Sequence, residues 1–391
     1  MKRITMRSLM LAAILSSIAV WNGCTDRGTF VRYKDLSGPF FKKEIGCTIY
    51  FVFHPEHETK GLKRYMYPMA DLYAIKPNGK LERQYVPNGK TWAWDFALTD
   101  YGFPIVIWES TRINILENKD EIKNGLAFFW VWMEAVSFDG KRALVHILSP
   151  DQESSMKTAE AIDLTSGKSL FTAELPWDLS DWSCGGAGNG LKNILAIHQA
   201  EADPNTVEGP TRWEPYLLHF DNDNKLTYWM LQFPPPEPKG KKEVVMIPSD
   251  GRIIGVTHDG QTARFYQSYP PYDEFTLLLS LEIPPVEIET YNRDGTRLCM
   301  KWVDDETKGH YSVLDTQTGA NIELFTKDRN SWKVYVSLSP MGDRLGLLEY
   351  AAGEASEGKF VFSVYDALSG ALVDSAEWPY KGHILHIRVG Y

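Results

Sequence analysis

The sequence NRDGTRLCM at residues 292–300 decides the fold of this chain. It contains a polar turn that ends in Gly295 and is followed by a short apolar run, and the sequence DTQTG at residues 315–319 forms a second turn. The same two-part pattern recurs at residues 137–167 and at residues 339–370. Polar turns that alternate with short apolar runs in a repeating unit are typical of small sheets of short strands.

The spacing between the glycines of successive first turns gives the length of the repeat. Glycines 38 to 61 residues apart occupy this position, and they are Gly102, Gly140, Gly190, Gly251, Gly295 and Gly342. A hairpin expected at residues 76–79 adds one further unit. Repeats of roughly 40 to 60 residues with little helical periodicity are typical of β-propellers. We therefore predict an all-β chain that forms a single β-propeller of seven blades, each with four antiparallel strands.

The pattern also resembles that of a known group of proteins. Ser-x-Asp-Gly before one strand and Asp-x-x-x-Gly after another are similar to the WD40-like repeats of bacterial envelope propellers, such as the TolB-like and YncE-like groups. The resemblance extends from about residue 135 to the C-terminus. It implies a propeller but no particular chemistry, because the Asp and Gly residues of this pattern serve the turns.

A closed propeller must join its first and last blades, because an open ring would leave exposed sheet edges. The alternating segment 383–389 is expected to pair with strands formed from residues between 47 and 85. The alternative is that residues 30–33 supply a strand to the last blade. Several apolar runs are expected to be inner strands, namely residues 73–75, 217–220, 310–314 and 361–365.

The start of the chain predicts export. Lys2, Arg3 and Arg7 precede an almost wholly apolar run at residues 9–20, which is shorter than the roughly 20 residues of a membrane span. We interpret residues 1–23 as a signal peptide.

The sequence VWNGC at residues 20–24 resembles the lipobox of bacterial lipoproteins. The resemblance implies that Cys24 carries the lipid and becomes the first residue of the mature protein. The alternative is an ordinary signal peptide with Cys24 near its end by chance. The expected organisation is a signal peptide at 1–23, a lipid-anchored N-terminal segment at 24–45 and the propeller at 46–391.

Charge and cysteine content exclude some classes of protein. The formal net charge is −10, and it becomes −13 without the three basic leader residues, which argues against nucleic acid as a partner. Only Cys47, Cys184 and Cys299 follow Cys24, and they lie far apart, so the chain is not a disulfide scaffold. Cys299 lies within an apolar run and is expected to be buried.

The motifs that suggest chemistry are each incomplete. The Gly-rich residues 184–190 lack the Lys-Ser or Lys-Thr of a phosphate loop, and residues 221–224 lack the Gly and Glu of a calcium loop, which favours a hairpin turn. The polar run at residues 54–58 contains a Pro and favours a solvated loop over a metal site. No Gly-x-Ser-x-Gly or Cys-x-x-Cys-His occurs. We predict no catalytic residue, metal ion or cofactor from these motifs.

Aromatic residues near predicted loops remain as candidates for ligand binding. Trp94, Trp182 and Trp213 are named because indole rings stack on sugars, bases and peptide groups. The favoured function is a binding or scaffold module for protein or glycan, anchored by lipid in the bacterial cell envelope and facing the periplasm or the surface. The alternative is a polysaccharide lyase or hydrolase, in which carboxylates and a His meet in the central channel.

Overall fold

The structure is a computed structural model, and the residues that it describes fall within one compact unit. They are residues 37–55, 71–85, 93–109, 112–118, 121–128, 130–148, 157–178, 181–200, 212–238, 243–304, 308–328, 332–351, 360–380 and 382–391. The leader, Cys24 and residues 30–33 lie outside this described part of the chain.

Seven antiparallel sheets form a seven-bladed β-propeller, as predicted. Blades 1 to 3 contain β1 Gly38–Pro39, β2 Thr48–Pro55, β3 Asp71–Ile75, β4 Lys80–Tyr85, β5 Ala93–Thr99, β6 Gly102–Glu109, β7 Arg112–Asn118, β8 Glu121–Ala127, β9 Trp130–Val136, β10 Arg142–Leu148, β11 Thr158–Asp163 and β12 Ser169–Glu174. Blades 4 and 5 contain β13 Trp182–Ala187, β14 Asn193–Ala200, β15 Arg212–Phe220, β16 Leu226–Met230, β17 Val244–Met246, β18 Ile253–His258, β19 Ala263–Ser268 and β20 Thr276–Leu281. Blades 6 and 7 contain β21 Val286–Tyr291, β22 Arg297–Val303, β23 Lys308–Asp315, β24 Asn321–Asp328, β25 Trp332–Leu338, β26 Arg344–Ala351, β27 Phe360–Asp366 and β28 Leu372–Glu377, and the last strand is β29 Gly382–Gly390. A single turn of 3₁₀ helix, Asn189–Leu191, joins β13 to β14.

The last strand of the chain closes the ring. β29 pairs antiparallel with β2 of blade 1, with Gly390 opposite Thr48 and Gly382 opposite Pro55. This pairing confirms the predicted closure. At the outer edge of the same sheet, β1 pairs with β4, so blade 1 begins at Gly38, ahead of the boundary expected at residue 46.

Each of blades 2 to 7 uses consecutive strands, and its first strand lies closest to the axis. Several first strands, including β9, β13 and β17, contact those of neighbouring blades. The apolar runs expected to be inner strands lie instead in β3, β15, β23 and β27, so that prediction was wrong. These third strands are rich in apolar residues because neighbouring blades cover both of their faces. A first strand also borders the channel, and it carries polar residues there.

The repeated turns lie where the pattern predicts. The six glycines that measure the repeat lie at the turn between the first and second strands of blades 2 to 7. Gly295 and Gly342 have φ angles of 65° and 71°, as a left-handed turn requires. A Cβ at Gly295 would lie 2.7 Å from both Arg252 and Ile247 of blade 5, so this turn also needs glycine for close packing between blades.

Packing between blades forms the core. The aliphatic side chains of β18 and β19 meet those of β21 and β22, and Ile254, Phe265 and Met300 are fully buried there. Cys299 is likewise fully buried, as predicted, and it faces blade 7. Each blade therefore gains its apolar contacts from its two neighbours rather than from a central core.

Four arginines share a role that joins successive blades. Each follows the glycine of a first turn by one or two residues and donates a hydrogen bond to a backbone carbonyl oxygen of the next blade. The bonds are Arg142 to Gly190 at 3.1 Å, Arg252 to Asp294 at 2.5 Å, Arg297 to Gly342 at 3.3 Å and Arg344 to Ile45 at 3.2 Å.

Candidate functional site

Side chains from blades 2 and 6 meet across the ring at one end of the central channel. Arg293, in the first turn of blade 6, lies 2.8 Å from Asp100 in the first turn of blade 2, although these blades are not neighbours. Arg293 also donates a hydrogen bond to the hydroxyl of Tyr391 at 3.2 Å. The Tyr391 backbone N–H bonds to the carbonyl oxygen of Tyr101 at 3.1 Å. We call these four residues the channel floor.

The floor holds its blade 2 turn in an unusual backbone conformation. Asp100 and Tyr101 have φ angles of 42° and 59°, a conformation that residues other than glycine rarely adopt. The Tyr101 hydroxyl donates to the carbonyl oxygen of Tyr291 at 3.1 Å, and the Asp100 N–H donates to that of Phe138 at 3.0 Å. The ion pair of Arg293 and Asp100 is nearly half exposed, so it contributes at most about 1 kcal/mol, and the backbone bonds carry more of the closure.

Groups near the floor are held neutral. Burial raises the pKa of the Tyr101 hydroxyl well above its ordinary value, and burial together with the nearby Cys184 raises that of Tyr291. Arg388, on β29, acts on Tyr291 in the opposite direction.

A carboxyl and an imidazole meet in blade 3. Glu134 Oε1 lies 3.6 Å from His146 Nε2, and the two side chains are only 6% and 3% exposed. Neither of these atoms has a hydrogen-bond partner. Burial raises the pKa of Glu134 to about 8 and lowers that of His146 to about 4, so both are neutral near pH 7.

A cleft on blade 4 contains one of the predicted residues. Trp213 lines it with Glu214 and Glu237, and apolar walls come from Met230 and Phe233. The space between these residues reaches about 310 Å³ only when open solvent is counted, so the cleft is a narrow surface groove and not an enclosed cavity. Trp213 and Glu214 lie at the start of β15. Phe233, which opens the Pro-rich segment after β16, packs against the ring of Phe275 with centroids 4.0 Å apart.

Aromatic residues extend this region toward blade 3. Trp177 stacks on His198 with ring centroids 4.7 Å apart, and the ring of Tyr216 meets Trp177 edge-on at 4.6 Å. Glu214 joins the two features, because it accepts a hydrogen bond from the Tyr216 hydroxyl at 3.3 Å and lies 3.7 Å from His198. Trp177 also falls near a predicted loop in the sequence, but it is not one of the three tryptophans named there as candidates for ligand binding.

The other two tryptophan candidates lie elsewhere. Trp182 is 6% exposed and packs between blades 3 and 4, so it offers no open ring face. Trp94 lies on β5, and its side chain is outside the described part of the structure. The structure thus does not bring Trp182 to the cleft of Trp213.

The incomplete motifs have structural roles. The Gly-rich residues form most of β13, where a Cβ at Gly186 would lie 2.9 Å from Met246 of blade 5, so glycine permits close approach of the blades. Asp221 caps the predicted hairpin turn by accepting bonds from the backbone N–H groups of Asp223 and Lys225, both at 2.9 Å. Within the described residues, no three His, Cys, Asp or Glu side chains form a group that could hold a metal ion.

Comparisons with known proteins bear only on the fold. No protein-family model and no curated protein matches the chain. Among solved structures, TolB from Acinetobacter baumannii has 13% identity and a TM-score of 0.46, covering 89% of this chain and 67% of that chain. Apo AztD from Citrobacter koseri has 12% identity and a TM-score of 0.47, covering 88% and 97%. The β-propeller domain of Cps50 (Swd1) from Myceliophteria thermophila has 12% identity and a TM-score of 0.47, covering 74% and 88%.

All three TM-scores lie below 0.5, so these likenesses carry no argument about this chain. The predicted seven-bladed propeller is confirmed by the strand pairing of the chain itself.

The buried carboxyl of Glu134 predicts a pH dependence of stability. As pH rises above about 4.5, the unfolded chain releases this proton, whereas the folded protein keeps it to about pH 8. The unfolded state therefore binds fewer protons in this range, and stability falls as pH rises. Glu134→Gln lacks the carboxyl and should not lose stability in this way. The difference between its free energy of unfolding and that of wild type should therefore grow, in favour of the variant, by on the order of 2–3 kcal/mol from about pH 5 to about pH 8.

Urea unfolding at a series of pH values measures this gain. Glu282→Gln, at an exposed position, is the control and should follow the wild-type curve. A Glu134→Gln curve that runs parallel to wild type across the range would show that the carboxyl is not held neutral.

Proposed function

We propose that this chain is a lipid-anchored propeller of the bacterial cell envelope that binds a protein or a glycan through the cleft around Trp213. The observation that carries this proposal is the cleft itself. It combines a half-buried indole and apolar walls with the carboxylates of Glu214 and Glu237. Concave apolar surfaces with a few convergent polar groups are the usual form of a ligand site.

The chemistry of the cleft suits sugars or a polypeptide segment. The Trp213 ring offers apolar surface for the face of a pyranose or a peptide side chain. Carboxylates beside it accept hydrogen bonds from hydroxyl, amide or ammonium groups.

The alternative is a polysaccharide lyase or hydrolase with its site in the channel. Such an enzyme needs carboxylates and a His together in the lumen. Asp304, His310 and Glu323 do meet, with oxygen to nitrogen distances of 2.9 and 3.0 Å, but they lie on the loop before β23 and on the outer strands of blade 6. Glu134 and His146 lie nearer the axis, yet both are almost fully buried. This arrangement favours the binding module.

The anchor rests on the leader and on Cys24. Within the described residues, no helix has the length and apolar character to cross a membrane. A lipidated Cys24 would supply the attachment, and more than one acyl chain would make it stable. The chain has a negative net charge and is repelled by anionic lipid headgroups, so electrostatic binding to the membrane would not replace the lipid anchor.

Replacing Trp213 tests the binding role. Two probes detect the ligand. For a protein partner, a photo-crosslinking residue placed at Gln232, which is exposed in the cleft, should capture the partner in bacterial cells. For a glycan, soluble N-acetylglucosamine oligosaccharides should bind the purified protein. Trp213→Ala should weaken the observed interaction at least about tenfold, because the indole is the main contact surface.

Trp229→Ala is the matched control, since Trp229 is 37% exposed on the outer strand of the same blade. It should leave binding unchanged. If neither probe detects an interaction at the cleft, or if both tryptophan variants behave alike, the binding role proposed for Trp213 is wrong.

Replacing Cys24 tests the anchor. We expect Cys24→Ala to abolish incorporation of labelled fatty acid and partitioning into the detergent phase, because the thiol is the site of acylation. Cys184→Ala removes a thiol elsewhere in the chain and should partition like wild type. Membrane association that persists in Cys24→Ala would contradict the lipoprotein assignment.

A further inference from the structure

The outer strand of blade 5 lacks the charges that protect most blade edges. β20 has the sequence TLLLSL and carries no charged residue over its whole length. Outer strands of blades 3, 6 and 7 carry charges, such as Glu174 in β12, Glu323 and Lys327 in β24, and Glu377 in β28. The outer strand of blade 4, β16, is also uncharged, but of these two strands only β20 has exposed acidic residues close before and directly after it. Charged side chains on edge strands normally prevent pairing with another chain. β20 lacks this protection.

The backbone edge of β20 is unpaired along most of its length. In its sheet the strand pairs only with β19, and Leu281 alone accepts a further bond, from the N–H of Ile283. A bulge interrupts its pairing with β19, but the same irregularity occurs in the corresponding strand pairs of blades 1, 3, 6 and 7. β20 therefore differs from the edges of blades 3, 6 and 7 in charge and not in geometry.

The strand also presents apolar surface to solvent. Leu277 is 56% exposed, while Leu278, Leu279 and Leu281 pack partly against the core between blades 5 and 6. An exposed leucine on an unpaired edge keeps apolar surface in contact with water. A docked strand would bury that surface, which is favourable.

Acidic residues stand at both ends of this edge. Asp273 and Glu274 precede β20 and Glu282 follows it, and all three are exposed. Arg264, on the neighbouring strand β19, is held by Asp259 at 2.6 Å and so does not offset them. A strand that docks here gains from basic residues at its own two ends.

The same charges disfavour pairing with a second copy of this chain, because antiparallel pairing brings the acidic ends of the two strands together. Antiparallel pairing of two β20 strands centred on Leu278 would place Glu274 of one copy opposite Glu282 of the other. Like charges directly opposite in a sheet are destabilising. The edge is therefore suited to a different polypeptide.

We propose that β20 is a docking edge for an extended segment of a partner protein, with alternating apolar residues flanked by lysine or arginine. The segment adds a strand to blade 5, and its backbone hydrogen bonds give affinity while the flanking charges give selectivity. This surface shares no residue with the cleft around Trp213, although Phe233 of the cleft contacts Phe275 directly before β20. Leu277→Lys and Trp213→Ala therefore distinguish a failure at one site from a failure at the other.

A synthetic peptide of alternating valine and threonine with two lysines at each end is the probe. We expect it to bind the full chain in fluorescence anisotropy. The same peptide with glutamates at its ends should bind at least about tenfold more weakly, because it meets Asp273, Glu274 and Glu282. N-methylation of alternate peptide nitrogens should abolish binding, because it removes the donors of the added strand.

Two substitutions locate the site. Leu277→Lys places a charge on the edge and should weaken binding of the lysine-ended peptide at least about tenfold. The control is Leu372→Lys, since Leu372 is 51% exposed on the outer strand of blade 7, and it should change nothing. Both positions are exposed, so both variants should keep the wild-type melting temperature.

A charge swap gives an independent test that does not alter the strand itself. Replacing Asp273, Glu274 and Glu282 together by lysine should reverse the preference, so that the glutamate-ended peptide binds more tightly than the lysine-ended one. Absence of binding by the lysine-ended peptide, an equal loss in Leu372→Lys or an unchanged preference after the swap would overturn the proposal. A dimer in light scattering that Leu277→Lys dissociates would also overturn it, because the occupant would then be a second copy.

Discussion

The pairing of β29 with β2 is the interaction on which the remaining structure depends. It joins the last residues of the chain to the first blade, and aromatic side chains fill the seam behind it. Phe51 of blade 1 lies 4.9 Å from Phe362 and 5.2 Å from Trp378 of blade 7, measured between ring centroids. Because each blade buries its apolar surface only against its neighbours, an open seam would expose two sheet faces at once.

Polar contacts reinforce this seam and repeat around the ring. Arg344 bonds to the Ile45 carbonyl oxygen across the seam and to Asp366 within its own blade at 2.7 Å. Asp374 of blade 7 accepts the N–H groups of Lys42 and Lys43 at 2.7 and 2.8 Å. The arginines after Gly140, Gly251 and Gly295 make equivalent bonds between other blades. The seam is thus held by the contacts used elsewhere in the ring, with β29 added.

The turns could be predicted from sequence because their residues respond to local backbone geometry. Gly295 and Gly342 require positive φ, and Asp315 and Asp366 cap tight turns, so each leaves a signal that is independent of the remaining fold. The count of seven blades followed from that spacing, and the closing strand followed from the alternating pattern of residues 383–389. The order of strands within a blade did not, because an apolar run shows burial but not distance from the axis.

The candidate sites could not be predicted from sequence in full, because they depend on contacts between residues that are distant in the chain. Asp100 and Arg293 are unremarkable turn residues in sequence, and only the closed ring brings them within 2.8 Å across the channel. Trp213 could be named from its position near a loop, but its partners in the cleft come from the segment after β16. The interblade arginines left a detectable signal, since an arginine follows four of the six repeat glycines within two residues.

Truncation of the closing strand tests the central claim most directly. Removing residues 382–391 should abolish the single cooperative transition in thermal unfolding, and a synthetic peptide of those residues, added in excess, should restore it by pairing with β2. A peptide of the same composition in scrambled order is the control and should restore nothing. A truncated chain that melts at the temperature of the parent with equal cooperativity would contradict the account, because the ring would then hold without its seam.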